Sequence, residues 1–189
     1  MKNIDKRQAV LDATLKLITE NGFHGTPMSM VAEKAGVATG SIYYYFESKE
    51  QIIRELYANI KKKMGEALLE NIDESKNFKE QFFKVWKNLY HFFVSHPQEF
   101  NFLEQYSNSP FINQQVKEEN FRFYKPVIDF IQTGIDKGVL REIHIELMVA
   151  LLYGSVTSVV KLQLSNILQI EEHLLQDAIQ SSWDGVKII

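Results

Sequence analysis

The stretch Ala38-Thr39-Gly40-Ser41-Ile42-Tyr43-Tyr44-Tyr45-Phe46, followed by Glu47-Ser48-Lys49-Glu50, decides how this chain is read. It sets three tyrosines and a phenylalanine in a row. A helix turns about 100° per residue, so four consecutive aromatic residues cannot share one buried face. Ile42 and Phe46, four apart, fall on the same side and can enter a core with Val37. Tyr43 and Tyr44 then point away. Two adjacent exposed tyrosines on a short helix call for a partner that covers them. A phenol can hydrogen-bond a phosphate oxygen while its ring packs on sugar or on a thymine methyl. Thr39, Gly40 and Ser41 at the start of the same helix are small, which lets a helix sink into a major groove.

Working outward, helical periodicity dominates the chain and no alternating run predicts a sheet. A first helix is expected over about 5–20, with Val10, Ala13, Leu17 and Ile18 inside and Asn21-Gly22 ending it. A second opens at Thr26-Pro27, where threonine can cap free amides and proline suits the first helical position. Met28, Val31, Ala32 and Ala35 form its apolar face and Gly36 stops it. Residues 26–46 therefore read helix, glycine turn, helix, the spacing of a helix-turn-helix. An ordinary corner between two packed helices has the same periodicity, and the aromatic run is what favours the first reading.

Composition bounds the function. The chain has 189 residues, no cysteine, 24% charged residues and a net charge of −3, which excludes disulfides and thiol chemistry. Residues 1–46 carry +1 and the remainder −4. Any affinity for nucleic acid must then come from placed cations, hydroxyls and backbone amides rather than a bulk basic field. Charged and apolar residues alternate through the first thirty positions, unlike a signal peptide. The apolar run Leu147–Val160 is short for a bilayer and reads as a buried helix. A cytoplasmic protein, without membrane contact, is expected.

The segment TPMSMVAEKAGVATGSIYYYFESKEQI, with Gly22-Phe23 before it, resembles the N-terminal signature of the TetR/AcrR family of bacterial transcription regulators. The residues that carry the resemblance are Gly22-Phe23, Thr26, Val31-Ala32, Ala35-Gly36-Val37, Gly40, Tyr43, Tyr45-Phe46, Ser48-Lys49 and Glu50. It is dense over residues 8–54; beyond them only length and helical layout agree. The resemblance implies that Thr39, Gly40, Ser41, Tyr43, Tyr44 and Tyr45 approach the major groove. It also implies that Lys49 clamps a phosphate, and that Thr26 and Ser29 reach the DNA backbone from the second helix. Ala38 stands where the family usually has a capping serine, and Thr39 where lysine is frequent, so one cation per monomer is missing. Met28 replaces a common small polar or β-branched residue.

A long helix should run from Ser48 to about Glu70. Lys61-Lys62-Lys63 lies about 18 Å beyond Lys49 along it and reads as a solvated face. Of 23 aromatic residues in the chain, 15 fall between Phe78 and Phe130, on helices expected over 78–95, 97–107 and 114–137. Pro126 must kink the last or mark its true beginning. Core packing accounts for most of these rings, but the stripe Phe82, Trp86, Leu89, Phe93 with its flanks is wide enough to line a cavity. The family resemblance implies a ligand pocket here. Its expected lining is Trp86, Tyr90, Phe93, Phe102, Tyr106, Phe123, Tyr124, Val127 and Tyr153, for a small apolar or aromatic effector. The tyrosines and the Trp86 indole would supply its few hydrogen bonds.

Helices over 144–164 and 171–186 close the chain. Their apolar faces, with Leu151, Ser155, Val159, Leu175, Ile179 and Trp183, suggest a homodimer through a four-helix bundle. The expectation is an all-α fold of about nine helices. Residues 1–47 form a three-helix helix-turn-helix DNA-binding domain, and residues 48–189 a helical bundle for ligand binding and dimerisation. The protein would be a ligand-responsive regulator, a repressor by the family's commoner habit, binding a palindromic double-stranded operator. No enzyme is expected. His91 and His96 are five apart, no HExxH, glycine-rich phosphate loop or Gly-x-Ser-x-Gly occurs, and neither metal nor cofactor is called for. A pure protein-interaction bundle would explain the apolar faces but not the exposed tyrosines beside Lys49.

Overall fold

The structure, a computed structural model, describes residues 5–188. Asp5 opens the first helix, α1 (Lys6–Asn21), its carboxylate accepting from the amides of Arg7 and Gln8 at 3.0 and 3.3 Å. Val10, Leu11, Ala13, Leu17 and Ile18 are buried along it. α2 (Met28–Ala35) ends at Gly36, whose φ of +67° is a left-handed conformation that glycine adopts without strain. That geometry lets the Val37 amide reach back to the Ala32 carbonyl at 3.0 Å, closing the helix end. α3 (Thr39–Tyr45) follows after a short turn, and α4 (Lys49–Leu68) after another. Ser48 accepts from the Gln51 amide at the start of α4 at 3.2 Å.

The described residues divide into two compact units. The first takes in the chain up to Ile60 together with Gln98–Asn120. In it α1, α2 and α3 pack on one another. Val10, Ile18, Val31, Ile42, Phe46, Ile52 and Ile53 are buried. Arg7 lies over the Phe46 ring at 5.1 Å and pairs with Glu55 at 2.5 Å. The second stretch of this unit holds α6 (Pro97–Tyr106) from Gln98 onward, and α7 (Gln114–Asn120). Phe111, between these helices, stacks on Phe23 of the α1–α2 turn at 4.3 Å.

The second unit runs from Lys61 to Pro97 and from Phe121 onward. It holds the last part of α4, α5 (Phe78–Ser95), α8 (Lys125–Asp136), α9 (Ile145–Leu164) and α10 (Glu172–Val186). α5 packs on α9 and α10, and α8 on α9. Asn77 caps α5 by accepting from the Glu80 amide at 3.0 Å. The one helix expected over 114–137 is two: α7 and α8, separated by a 3₁₀ turn at Phe121–Phe123. Pro126 stands in the first turn of α8, where its missing N–H costs nothing. The helices among the described residues therefore number ten.

α9 is apolar along most of its length, and little of it is buried. It is the one helix among the described residues long and apolar enough to cross a membrane. Leu147 and Leu151 on it are 53% and 54% exposed, so a large apolar face is left open.

Candidate nucleic-acid interface

α3 is held by its inner side. Ile42 is 0% and Phe46 1% exposed, while Tyr43 is 55% and Tyr44 84% exposed. The two pairs divide as the 100° turn requires. Tyr45 is half-buried and stands edge-on to Tyr44, centroids 5.1 Å apart and planes at 87°. Thr39 and Gly40 are exposed and Ser41 is half-buried. Nothing lies within 4 Å of where a Cβ would sit on Gly40, so the N-terminal half of α3 is an open, low surface. Ser29 on α2 is exposed.

Two residues expected at this surface are placed otherwise. Thr26 is fully buried and donates its hydroxyl to the Gly22 carbonyl at 2.9 Å. It neither caps α2, whose N-cap Pro27 has no side-chain bond, nor faces outward. The turn's own carbonyl needed a donor, and the hydroxyl supplies it.

Lys49 is also turned inward. Its ammonium donates to the carbonyls of Phe23 and, at 2.7 Å, of Thr26, and stands 3.9 Å from the centroid of the Phe23 ring. Desolvation lowers its pKa from the ordinary lysine value, against a smaller opposing effect of Glu50. With two of three donors occupied, Lys49 ties the α1–α2 turn to α4 and is not set to clamp a phosphate. Phe111 covers the other side of this arrangement through its stack on Phe23. No local pattern could have announced it, because the partners lie 23, 26 and 62 residues from Lys49.

The residues expected at an effector site are divided between the units. Phe102 and Tyr106 belong to the first, stacked at 5.1 Å, with the Tyr106 hydroxyl 3.5 Å from the Ile18 carbonyl. The others belong to the second. There Trp86 stacks on Tyr90 at 6.2 Å and Phe93 meets Tyr153 edge-on at 6.1 Å. The Trp86 indole donates to Ser155 Oγ at 3.0 Å, and that hydroxyl is shared with the Leu152 carbonyl and Ser182. Burial raises the pKa of Tyr90, Tyr106 and Tyr124, keeping these phenols neutral donors. Phe123 and Tyr124 sit at the 3₁₀ turn, with Lys61 over the Tyr124 ring at 4.7 Å, and Val127 is half-buried on α8.

Of the residues expected at a dimer face, Leu175, Ile179 and Trp183 are buried inside the second unit. Trp183 stands edge-on to Phe82 at 5.1 Å. Ser155 and Val159 are half-buried. On α9 the exposed large apolar residues are Leu147 and Leu151, beside Gly154, around which no atom would meet an added Cβ.

Against known proteins, residues 10–56 match the N-terminal region of the bacterial regulatory proteins of the tetR family. Residues 57–188 match the tetracyclin repressor-like C-terminal domain. The chain belongs to the tetR family. It is 30% identical, over 82% of its length and 81% of the other's, to the fatty acid metabolism regulator protein of Bacillus subtilis. A tetR family transcription regulator from Shewanella sp. PV-4 superposes with a TM-score of 0.88 at 26% identity, covering 97% of this chain and 99% of that one. The regulator FadR from Bacillus subtilis, in complex with stearoyl-CoA, shares the fold at a TM-score of 0.73 and 22% identity, covering 94% and 98%. This tetR-family chain is thus a DNA-binding transcriptional regulator with an N-terminal helix-turn-helix, and α1 to α3 are the elements that compose it.

Proposed function

We propose that this regulator is a repressor that binds a palindromic operator as a homodimer, and that an apolar acyl effector held within residues 48–189 lowers its DNA affinity. The observation that carries the DNA-binding half is Tyr44, 84% exposed in the last turn of a helix anchored by Ile42 and Phe46. Residues 1–47 do the reading in this account, with Thr39, Gly40, Tyr43 and Tyr44 foremost and Ser29, Ser41 and Tyr45 beside them. The acyl class is supported by the similarity to a fatty acid metabolism regulator and to a stearoyl-CoA complex, and by the apolar, ring-rich surroundings of Trp86, Tyr90, Phe93 and Tyr153. The acyl chain would take the apolar surface, and a neutral tyrosine hydroxyl the thioester carbonyl.

α4 is the element that links effector and operator. At its start Lys49 holds the α1–α2 turn. Near its end the Asn88 side chain of α5 donates to the Leu68 and Glu70 carbonyls at 3.0 and 2.9 Å. Gly65 passes so close to the Phe123 carbonyl that a Cβ there would overlap it. A ligand that shifts α5 or the 121–124 turn is felt along α4 at the turn that holds α2. The operator then weakens by the ligand's preference between the two arrangements.

A second copy covers the open face of α9. Leu147 and Leu151 would pack across the two-fold beside Gly154, whose lack of a side chain admits a close helix. Two recognition helices then meet half-sites about one DNA turn, roughly 34–36 Å, apart. Such a protein works in the cytoplasm.

The test is fluorescence anisotropy on labelled duplex from upstream of the protein's own gene, titrated with stearoyl-CoA and, separately, with free CoA. Salt-dependent binding that survives excess random DNA, released by the acyl thioester and not by CoA, is expected. Binding indifferent to acyl-CoA of every chain length would reject the effector class, and Leu151→Asp remaining dimeric by light scattering would reject the α9 interface.

A further inference from the structure

We propose that this regulator recognises its operator by thymine. The bases under α3 are selected through thymine C5-methyl groups seated against Thr39, Tyr43 and Tyr44, and not through bidentate hydrogen bonds to guanine or adenine. The inference rests on the reading that α3 enters the major groove, and adds which bases it selects there.

α3 lacks the side chains that read bases by paired hydrogen bonds. Its seven residues are Thr39-Gly40-Ser41-Ile42-Tyr43-Tyr44-Tyr45. From Val37 to Phe46 there is no arginine, lysine, asparagine, glutamine or carboxylate. Guanine is read most strongly by a bidentate arginine or lysine, adenine by a bidentate asparagine or glutamine, and cytosine by a carboxylate. None of these is available on the helix. Lys49, the cation nearest in sequence, is bound to the Phe23 and Thr26 carbonyls. Lys34 stands in the last turn of α2, before the Gly36 turn. Glu47 lies beyond the C-terminal end of α3. On α2 the exposed residues are Ser29 and Met30, which add a hydroxyl and an apolar chain, with Glu33 and Lys34 toward its C-terminal end.

What remains on α3 is hydroxyls and hydrocarbon. Serine and threonine hydroxyls pair with several base edges and discriminate weakly. The hydrocarbon discriminates, because thymine alone carries an apolar group on the major-groove edge. The surface is shaped for one. Gly40 lies three and four residues before Tyr43 and Tyr44, on the same side of the helix, and no atom occupies the space where its Cβ would be. That leaves open space on the face that carries the two exposed tyrosines. The Tyr45 ring stands edge-on to Tyr44, centroids 5.1 Å apart, a contact that limits where the Tyr44 ring can turn.

The experiment selects binding sites from a random duplex pool with the full-length protein. Each thymine of the winning half-site is then replaced by deoxyuridine, which removes the methyl and leaves pairing and hydrogen-bonding groups intact. Expected is a loss of about fourfold for each contacted methyl, and about sixteenfold for a symmetric pair, the worth of a buried methylene-sized group. Tyr44→Ala should erase the deoxyuridine sensitivity at one position while other positions keep theirs. Selected half-sites built on invariant G·C pairs, with every deoxyuridine duplex bound as tightly as its thymine parent, would overturn the inference and leave DNA binding by α3 standing. A pool from which no sequence emerges would overturn the groove reading itself, and the thymine inference with it.

Discussion

α3 and α5 are both crowded with aromatic residues, and the fold uses them in opposite ways. On α5, Phe82, Trp86, Tyr90, Phe92 and Phe93 are all buried. The rings find each other or a hydroxyl, as Trp86 finds Tyr90 and Ser155. On α3 the helix keeps Ile42 for the core and leaves Tyr43 and Tyr44 exposed, Tyr44 edge-on to Tyr45. An aromatic run therefore has no fixed meaning. A stripe at helical spacing buries itself, the adjacent pair Phe92-Phe93 included, whereas a run of four rings turns through the whole circumference of a helix and forces some outward, and those are the ones that await a partner.

The comparison can be broken from its buried side first. Phe93→Ala should cost about 3–5 kcal/mol of stability, as removal of a fully buried ring does, read as a lowered midpoint in urea. A loss near zero would mean that Phe93 is not part of the packed core. Gly65→Ala is next, at about 1–3 kcal/mol, because its Cβ would meet the Phe123 backbone, which cannot swing aside as a side chain can. If α4 carries the effector signal, this variant should also bind operator poorly without any effector. Lys49→Ala should cost about 1–2 kcal/mol through two lost charge-assisted bonds at a half-exposed site. It should leave the log–log salt slope of DNA binding unchanged. A slope reduced by about 0.9 with stability intact would instead mark Lys49 as a phosphate contact.

The smallest effect concerns acid. The Glu172 carboxyl lies below its ordinary value of 4.5, chiefly because Lys87 donates to it at 2.5 Å. A carboxylate with a depressed folded pKa stabilises fully above its unfolded value and loses that contribution as pH falls through the folded one. Between pH 6 and pH 3, Lys87→Met should therefore narrow its stability gap from the wild type. A gap constant with pH would refute the pairing.

Much of the fold was legible because helical periodicity and caps are local. The limits of α5 and α9, and the division of Ile42 and Phe46 from Tyr43 and Tyr44, needed only spacing. What the sequence hid depends on partners far along the chain. Thr26 fits an N-cap pattern, and only the geometry of the turn gives its hydroxyl to Gly22. Lys49 looks like a surface cation until the carbonyls of residues 23 and 26 are brought to it. Leu175, Ile179 and Trp183 make an apolar stripe equally fit for a dimer or for α5, and the packing of α10 on α5 and α9 decides it. Phe102 and Tyr106 continue the aromatic pattern of α5 in the sequence, and only the fold assigns Gln98–Asn120 to the unit that contains α3.

The most direct test of the account is Tyr44→Ala, measured at once for stability and for binding to operator and random duplex. The account predicts unfolding free energy within about 0.5 kcal/mol of wild type and operator affinity at least about fivefold weaker, as for a truncated interface tyrosine. Unchanged operator affinity in a protein of unchanged stability would contradict it, and would mean that α3 presents its tyrosines to something other than DNA.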